Sequence, residues 1–423
     1  MTTDPKIRTQ ARAQARAEAR TDARTKARAE ARTEARAQAP TTSLPKAPTD
    51  ARPKARAEAG AKARRRDRRV YLRAHPLLFA LLAATRGRPV RRLGRGTLLV
   101  HGTAAYREAL TRLPLDRTAP GTTGGAARAA RVEGVLFDQE GSGHRTARRE
   151  LAELLGAAGT RELRAVWHPL LLRRLAPLPL GGTVDLVPLA RELAGSVVHA
   201  LLRPGSGADA CASPLALAEA AAEAAAASVR SHLPGPPRPG AGAAAIRTSE
   251  RLRGLLGPGA DDRAAMLAVA AVNTTVAALP RAVAWCADAG LWDQAADPAL
   301  CPALADELLR VTAASPLLPR VAAAGGSVGG CPVRAGDRLL LVARHAAGAH
   351  LRDPDGRSPA EPGVARLVFG AGPHACPGAR LAREQLVGVL AALAPHRPVV
   401  TRARVDRRAA LPGWRSLVVR AAA

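Results

Sequence analysis

Apolar positions along the chain recur mostly three and four residues apart, the repeat of helices with one buried face. That repeat predicts short helices over 75–85 and 103–113 and a mainly helical chain from residue 144 onward. It is broken at Gly181-Gly182 and at a Pro/Gly run over 233–242. Residues 264–279 form an apolar helical stretch, and Pro280 should kink or end it. A further helix is predicted over 379–393, with Leu381, Leu386, Val389 and Leu390 on its apolar side. Strand signals are few: a hairpin over 90–101 around Gly94 and Gly96, and short strands at 330–333 and 338–342. The Gly/Pro/Arg-rich segment 114–130 reads as a mobile loop. The expected fold class is mainly α with small β-sheets.

Residues 1–68 do not follow the pattern. A tetrad beginning Ala-Arg repeats from 11 to 38, and a looser copy runs from 51 to 69. No large apolar residue recurs there to give a buried face, and arginines four apart repel along a helix. The expectation is a disordered, basic, low-complexity extension over 1–68 and one folded domain over 69–423.

Hydrophobic residues make up 47 % of the 423 residues and aromatics only 2 %, so the core must be aliphatic and largely helical. Net charge is +29, of which residues 1–70 contribute +12, from 20 Lys/Arg against 8 Asp/Glu. A basic arm can attract nucleic acid, an acidic protein or anionic lipid, but the aromatics of a base-stacking platform are missing. Nucleic acid is therefore not expected as a partner. No stretch approaches the ~18 uninterrupted apolar residues of a membrane span, residues 76–84 being too short, so no membrane is expected either. The five cysteines are odd in number and scattered, and the charged start has no apolar signal core. A reducing cytoplasm is the expected compartment.

The chemistry concentrates in 369–378, Phe-Gly-Ala-Gly-Pro-His-Ala-Cys-Pro-Gly, just ahead of the helix predicted from 379. Glycines permit a tight turn there, and a helix N-terminus favours an anion. The expectation for Cys376 is a lowered thiol pKa and a thiolate able to ligate a metal. Elsewhere, His144 and Arg148 share one helix face, Glu307 and Arg310 are three apart, and Asn273-Thr274 sit in the apolar stretch 264–279. A helical threonine also commonly returns its hydroxyl to the i−4 carbonyl.

Residues 369–378 resemble the haem-binding loop of the cytochrome P450 family, FxxGxxxCxG, through Phe369, Gly372, Cys376 and Gly378. The other motifs follow the family's order, HxxxR at His144 and Arg148, the oxygen-activating helix pattern at 270–275, and ExxR at Glu307 and Arg310. The resemblance covers roughly residues 69–419 and implies a helical prism enclosing b-type haem. It implies that Cys376 ligates the iron and that Phe369 shields the thiolate. His144, Arg148, Arg320 and His374 are implied propionate contacts, with Arg357, and Arg366 behind it, as the third arginine beside the ExxR pair. Thr274 matches the catalytic alcohol, whereas Asn273 stands where the family has an acid and Ala271 where it has glycine. An asparagine can orient water but cannot carry a proton by ionising.

The implied activity is a monooxygenase that inserts oxygen from O2 into a bulky apolar small organic substrate. Its electrons would come from a ferredoxin and ferredoxin reductase docking at Arg145, Arg149, Arg380 and Arg383. Asn273 and Ala271 keep open an oxidase or coupling enzyme of the same fold, and the basic extension keeps open a non-catalytic haem-binding relative.

Overall fold

The computed structural model describes residues 51–129, 141–202, 213–232, 239–257 and 259–422. The tetrad repeat at 11–38, residues 130–136, Cys211 and the run 233–238 lie outside the described residues. Packing divides the chain after Lys54; in the first unit only 51–54 are described, as the opening turn of a helix.

That helix, α1 (Ala51–Ala74), reaches well into the region expected to be a tail. Ala63, Asp67 and Val70 are buried, so the folded part starts before residue 69. The reason is a single acid within a basic run. Asp67 accepts from Arg281 at 2.7 Å and from Arg344 at 2.9 Å, which anchors α1.

After α2 (Pro76–Thr85) comes the expected hairpin, β1 (Val90–Leu93) with β2 (Thr97–Val100), and then α3 (Thr103–Thr111). The segment read as a loop carries β3 (Leu115–Asp116) and α4 (Thr123–Ala129). Helices α5 (Gly141–Leu154) and α6 (Ala157–Leu175), strand β4 (Thr183–Asp185), and helices α7 (Leu186–Leu202), α8 (Pro214–His232) and α9 (Ala241–Leu256) follow. Next come α10 (Asp262–Ala289), α11 (Trp292–Ala296) and α12 (Cys301–Thr312). The later strands are β5 (Leu318–Ala322), β6 (Gly326–Val328), β7 (Cys331–Val333), β8 (Arg338–Leu341), β9 (Val399–Asp406) and β10 (Gly413–Arg420). Short helices α13 (Ala343–Ala346) and α14 (Pro362–Ala365) precede α15 (Ala379–Leu393).

The largest sheet has the order β1-β2-β8-β5-β3, with β2 and β8 parallel. Pro319 lies on the part of β5 that β3 does not reach, where a missing N–H costs no ladder bond to β3. A second sheet, β4-β10-β9, closes the helical side.

Helix α10 organises the interior. Its first half packs with α7, α8 and α9, and its second half with α12, α15 and strand β10. It continues nine residues beyond Pro280 rather than ending there, and Ala277–Cys286 are all buried. By composition α10 is long and apolar enough to cross a bilayer, although the sequence suggested no such stretch. Its burial among neighbouring helices makes it a core helix. Close contact also fixes α15: a Cβ at Gly388 would lie 2.5 Å from the buried Trp167 ring of α6.

Candidate functional site

The cysteine loop is built by backbone geometry. Gly370 and Gly372 have φ of +80° and +69°, which other residues avoid, and the Cys376 N–H donates to the Phe369 carbonyl at 2.7 Å. The loop thus folds back on itself and delivers Cys376 two residues before Gly378, the cap of α15. Phe369 is half-buried against the helical core. The Cys376 side chain is accessible, yet dense protein surrounds it, so it lies on the wall of a concave space.

The thiol pKa is raised, not lowered as the sequence suggested. Burial pushes it up, and the Gly378 N–H and the Arg148 charge only partly oppose that. Coordination to a metal would deprotonate such a thiol outright.

Four residues proposed from the sequence converge beside this loop. The His144 and His374 rings lie 4.0 Å apart, centroid to centroid. His374 is pushed down to about 3 by burial and by Arg117, His144, Arg320 and Arg148. His144 is lowered by burial and by Arg148, Arg117 and Arg145. Arg320 is likewise lowered by burial, and its buried Nε has no hydrogen-bond partner. Arginine and imidazole gathered in this way make a receptor for a dianion. Arg117 joins the group from the segment read as a loop, where no motif marks it.

The ExxR pair is a separate, fully buried unit. Arg310 donates to Glu307 at 2.8 and 2.7 Å and to the carbonyls of Gly348 and Arg352 at 3.0 and 3.2 Å. The Ala360 N–H donates to Glu307 at 2.9 Å. The additional cation is Arg352, 3.6 Å from the Glu307 carboxylate. Arg357 and Arg366, proposed for that place, form no ion pair with Glu307 among the described residues. The segment before the cysteine loop folds irregularly, and that brings Arg352 rather than a later arginine to Glu307.

On α10, the Thr274 hydroxyl donates to the Ala270 carbonyl at 2.8 Å. Asn273 donates to the Val269 carbonyl at 2.8 Å and to Ala221 of α8 at 3.4 Å. Among the described residues, no hydrogen bond or ion pair joins Asn273 or Thr274 to the cysteine loop. Asn273, Thr274, Thr275 and Val276 are nevertheless part-exposed, as are Val269, Ala270 and Ala271 just before them, although α10 is packed among other helices, so this stretch borders interior space. Of the arginines suggested for docking a redox partner, Arg145, Arg149 and Arg380 are exposed, whereas Arg383 is paired with Asp306 at 2.7 Å.

No family model matches the chain. Among solved structures, it is similar to P450BioI in complex with hexadec-9Z-enoic acid ligated acyl carrier protein. That alignment has a TM-score of 0.66 and 18 % identity, over 83 % of this chain and 99 % of the other. A second is the mycinamicin VIII C21 methyl hydroxylase MycCI from Micromonospora griseorubida, with a TM-score of 0.63 and 22 % identity, over 80 % and 95 % of the two chains. The chain has the cytochrome P450 fold.

Local sequence similarity agrees with the fold. The chain is 35 % identical over 106 residues to the 20-oxo-5-O-mycaminosyltylactone 23-monooxygenase of Streptomyces fradiae, a match covering 25 % of each protein. It is 39 % identical over 98 residues to the erythromycin C-12 hydroxylase of Saccharopolyspora erythraea, covering 22 % of this chain and 24 % of the relative. The chain thus spans about a quarter of the length of the curated relatives it matches. A cytochrome P450 fold implies haem, and the residues present fit one: an accessible thiol ahead of a helix N-terminus, beside a cationic group with an orphaned buried Arg320 N–H.

Proposed function

We propose that the protein is a haem-thiolate monooxygenase acting on a bulky apolar small molecule in bacterial specialised metabolism. The observation that carries this reading is the convergence of His144, His374, Arg117, Arg148 and Arg320 beside the accessible Cys376. Cys376 would ligate the iron of b-type haem, and the basic group would hold its two propionates. When bound, haem supplies the activation of O2 and the transfer of one oxygen atom to a C–H bond. Overall, substrate RH, O2, two electrons and two protons give ROH and water.

The chain's own residues set the conditions for that chemistry. Phe369 covers the thiolate side with an apolar ring and limits water there. Thr274 holds a hydroxyl proton at Oγ, now directed to the Ala270 carbonyl. Asn273 orients hydrogen-bonded neighbours without ionising, so protons must pass along hydroxyls and water. Electrons are assigned to a ferredoxin and its reductase, steered by exposed Arg145, Arg149 and Arg380. The work is assigned to the cytoplasm. Two curated relatives, a 20-oxo-5-O-mycaminosyltylactone monooxygenase and an erythromycin hydroxylase, support a large product scaffold.

Asn273 favours one other reading, an oxidase or coupling enzyme that releases no oxygenated product. Turnover under labelled O2 separates the two. One labelled oxygen atom per product supports the monooxygenase, whereas oxidised product without label overturns it.

A further inference from the structure

Helix α2 is apolar on every side: Pro-Leu-Leu-Phe-Ala-Leu-Leu-Ala-Ala-Thr. A helix of that composition is normally buried all round. Here only one side is. Leu78, Phe79 and Leu82 pack against Leu93, Leu99 and Val342, while Thr85 hydrogen-bonds to the Leu81 carbonyl and to His101. The opposite side presents Leu77, Ala80, Leu81 and Ala84, at the i, i+3, i+4, i+7 spacing of one helix face, and all four are exposed. Leu77 is 86 % exposed and Leu81 40 %.

The surroundings are basic. Residues 68–107 contain nine arginines and neither Asp nor Glu. Arg73 precedes α2, Arg86 and Arg88 follow it, and all three are exposed. An exposed apolar face with arginines at both helix ends is the composition of an interfacial helix, whose apolar side enters the acyl boundary while cations meet anionic headgroups.

We propose that α2 docks the protein reversibly on an anionic lipid surface. Charge complementarity selects that occupant. A second copy would bring the exposed Arg73, Arg86 and Arg88 up against the same three cations. Residues 1–50 offer only Met1, Ile7 and Leu44 as large apolar residues and carry 11 Lys/Arg against 6 Asp/Glu, so they match neither the apolarity nor the charge. The sequence alone suggested no membrane partner because its apolar run is too short to span a bilayer; lying on one requires only a face.

The test uses the full-length, haem-loaded protein and sedimentation with vesicles of phosphatidylcholine, either pure or containing about 30 % phosphatidylglycerol. Wild type is expected to bind the anionic vesicles, less at high salt, and the neutral ones weakly. The variant L77S/L81S keeps every charge and should bind roughly tenfold more weakly or less still. Both side chains are at the surface, and an unchanged Soret band and melting temperature verify that the variant is folded. R73Q/R86Q/R88Q should bind less and lose most of its salt dependence. Absence of binding to anionic vesicles would overturn the proposal. So would equal binding by wild type and L77S/L81S, which would assign attraction to the basic N-terminal residues. A wild-type dimer converted to monomer by L77S/L81S, without lipid binding, would overturn it in favour of a second copy.

Discussion

Glu307 receives Arg310 on both carboxylate oxygens, and Arg310 directs its remaining N–H groups to backbone carbonyls between residues 348 and 353. Burial pulls the carboxyl pKa up, but Arg310, the Ala360 N–H and Arg352 pull harder, and it ends below the usual carboxylate range. Replacing Glu307 with Gln would leave Arg310 buried beside a neutral amide. The expected cost is about 3–5 kcal/mol, read from urea denaturation. This pair was legible in the sequence because i, i+3 spacing on one helix needs no tertiary knowledge. Arg352 was not legible, since its distance to Glu307 depends on how an irregular segment folds. Arg117 was hidden for the same reason. The place of Cys376 just ahead of a helix was legible, but the direction of its pKa was not: a helix N-terminus can be read from sequence, and the density of protein around a sulfur cannot.

At the scale of elements, α1 is the main departure. Its first turns repeat Ala and Arg with no apolar face, and that composition reads as an extension. What secures the helix is polar. Asp67 is shared by Arg281 of α10 and Arg344 of α13, the Tyr71 hydroxyl donates to the Thr312 carbonyl, and Lys62 and Arg66 meet Asp288. Asp67→Asn leaves the buried Arg281 and the part-buried Arg344 without their carboxylate and should cost about 3–5 kcal/mol in urea denaturation. A chain beginning at residue 51 keeps all of these contacts, whereas one beginning at 69 loses Asp67. Haem content and melting temperature should therefore fall only for the shorter chain. Helices α3, α10 and α15 were legible from their apolar repeat, and α2 from an unbroken apolar run. Strands β9 and β10 were not, since arginine, alanine and glycine interrupt them and only tertiary pairing makes them strands.

Across the molecule, charge and pH meet in a largely buried histidine group that joins His101 to His345 and His350. His101 and His345 bring their Nδ1 atoms within 2.8 Å, and the His345 and His350 rings are 4.9 Å apart. Burial, then the His350 charge, lowers His101 to about 4; burial, then His101, His350, Arg344 and Arg86, lowers His345 to about 3. His350 is lowered as well, by burial, Arg86 and Arg344. The unfolded chain therefore binds more protons than the fold between the ordinary histidine pKa of ~6.5 and these lowered values. Stability is complete above that range and falls as pH drops through it. Urea midpoints should decline from pH 7 to pH 5, and His345→Gln should flatten the decline. A midpoint independent of pH over that interval would contradict neutral burial of the group.

Ligation of haem iron by the Cys376 thiolate is read from the absorption spectrum of the reduced, carbon-monoxide-bound protein. A Soret band near ~450 nm is predicted for the wild type, because a thiolate opposite carbon monoxide shifts the band to the red. Cys376→His should retain haem and absorb near ~420 nm. A wild-type band near ~420 nm in folded, haem-loaded protein, or folded protein that takes up no haem, would contradict that ligation.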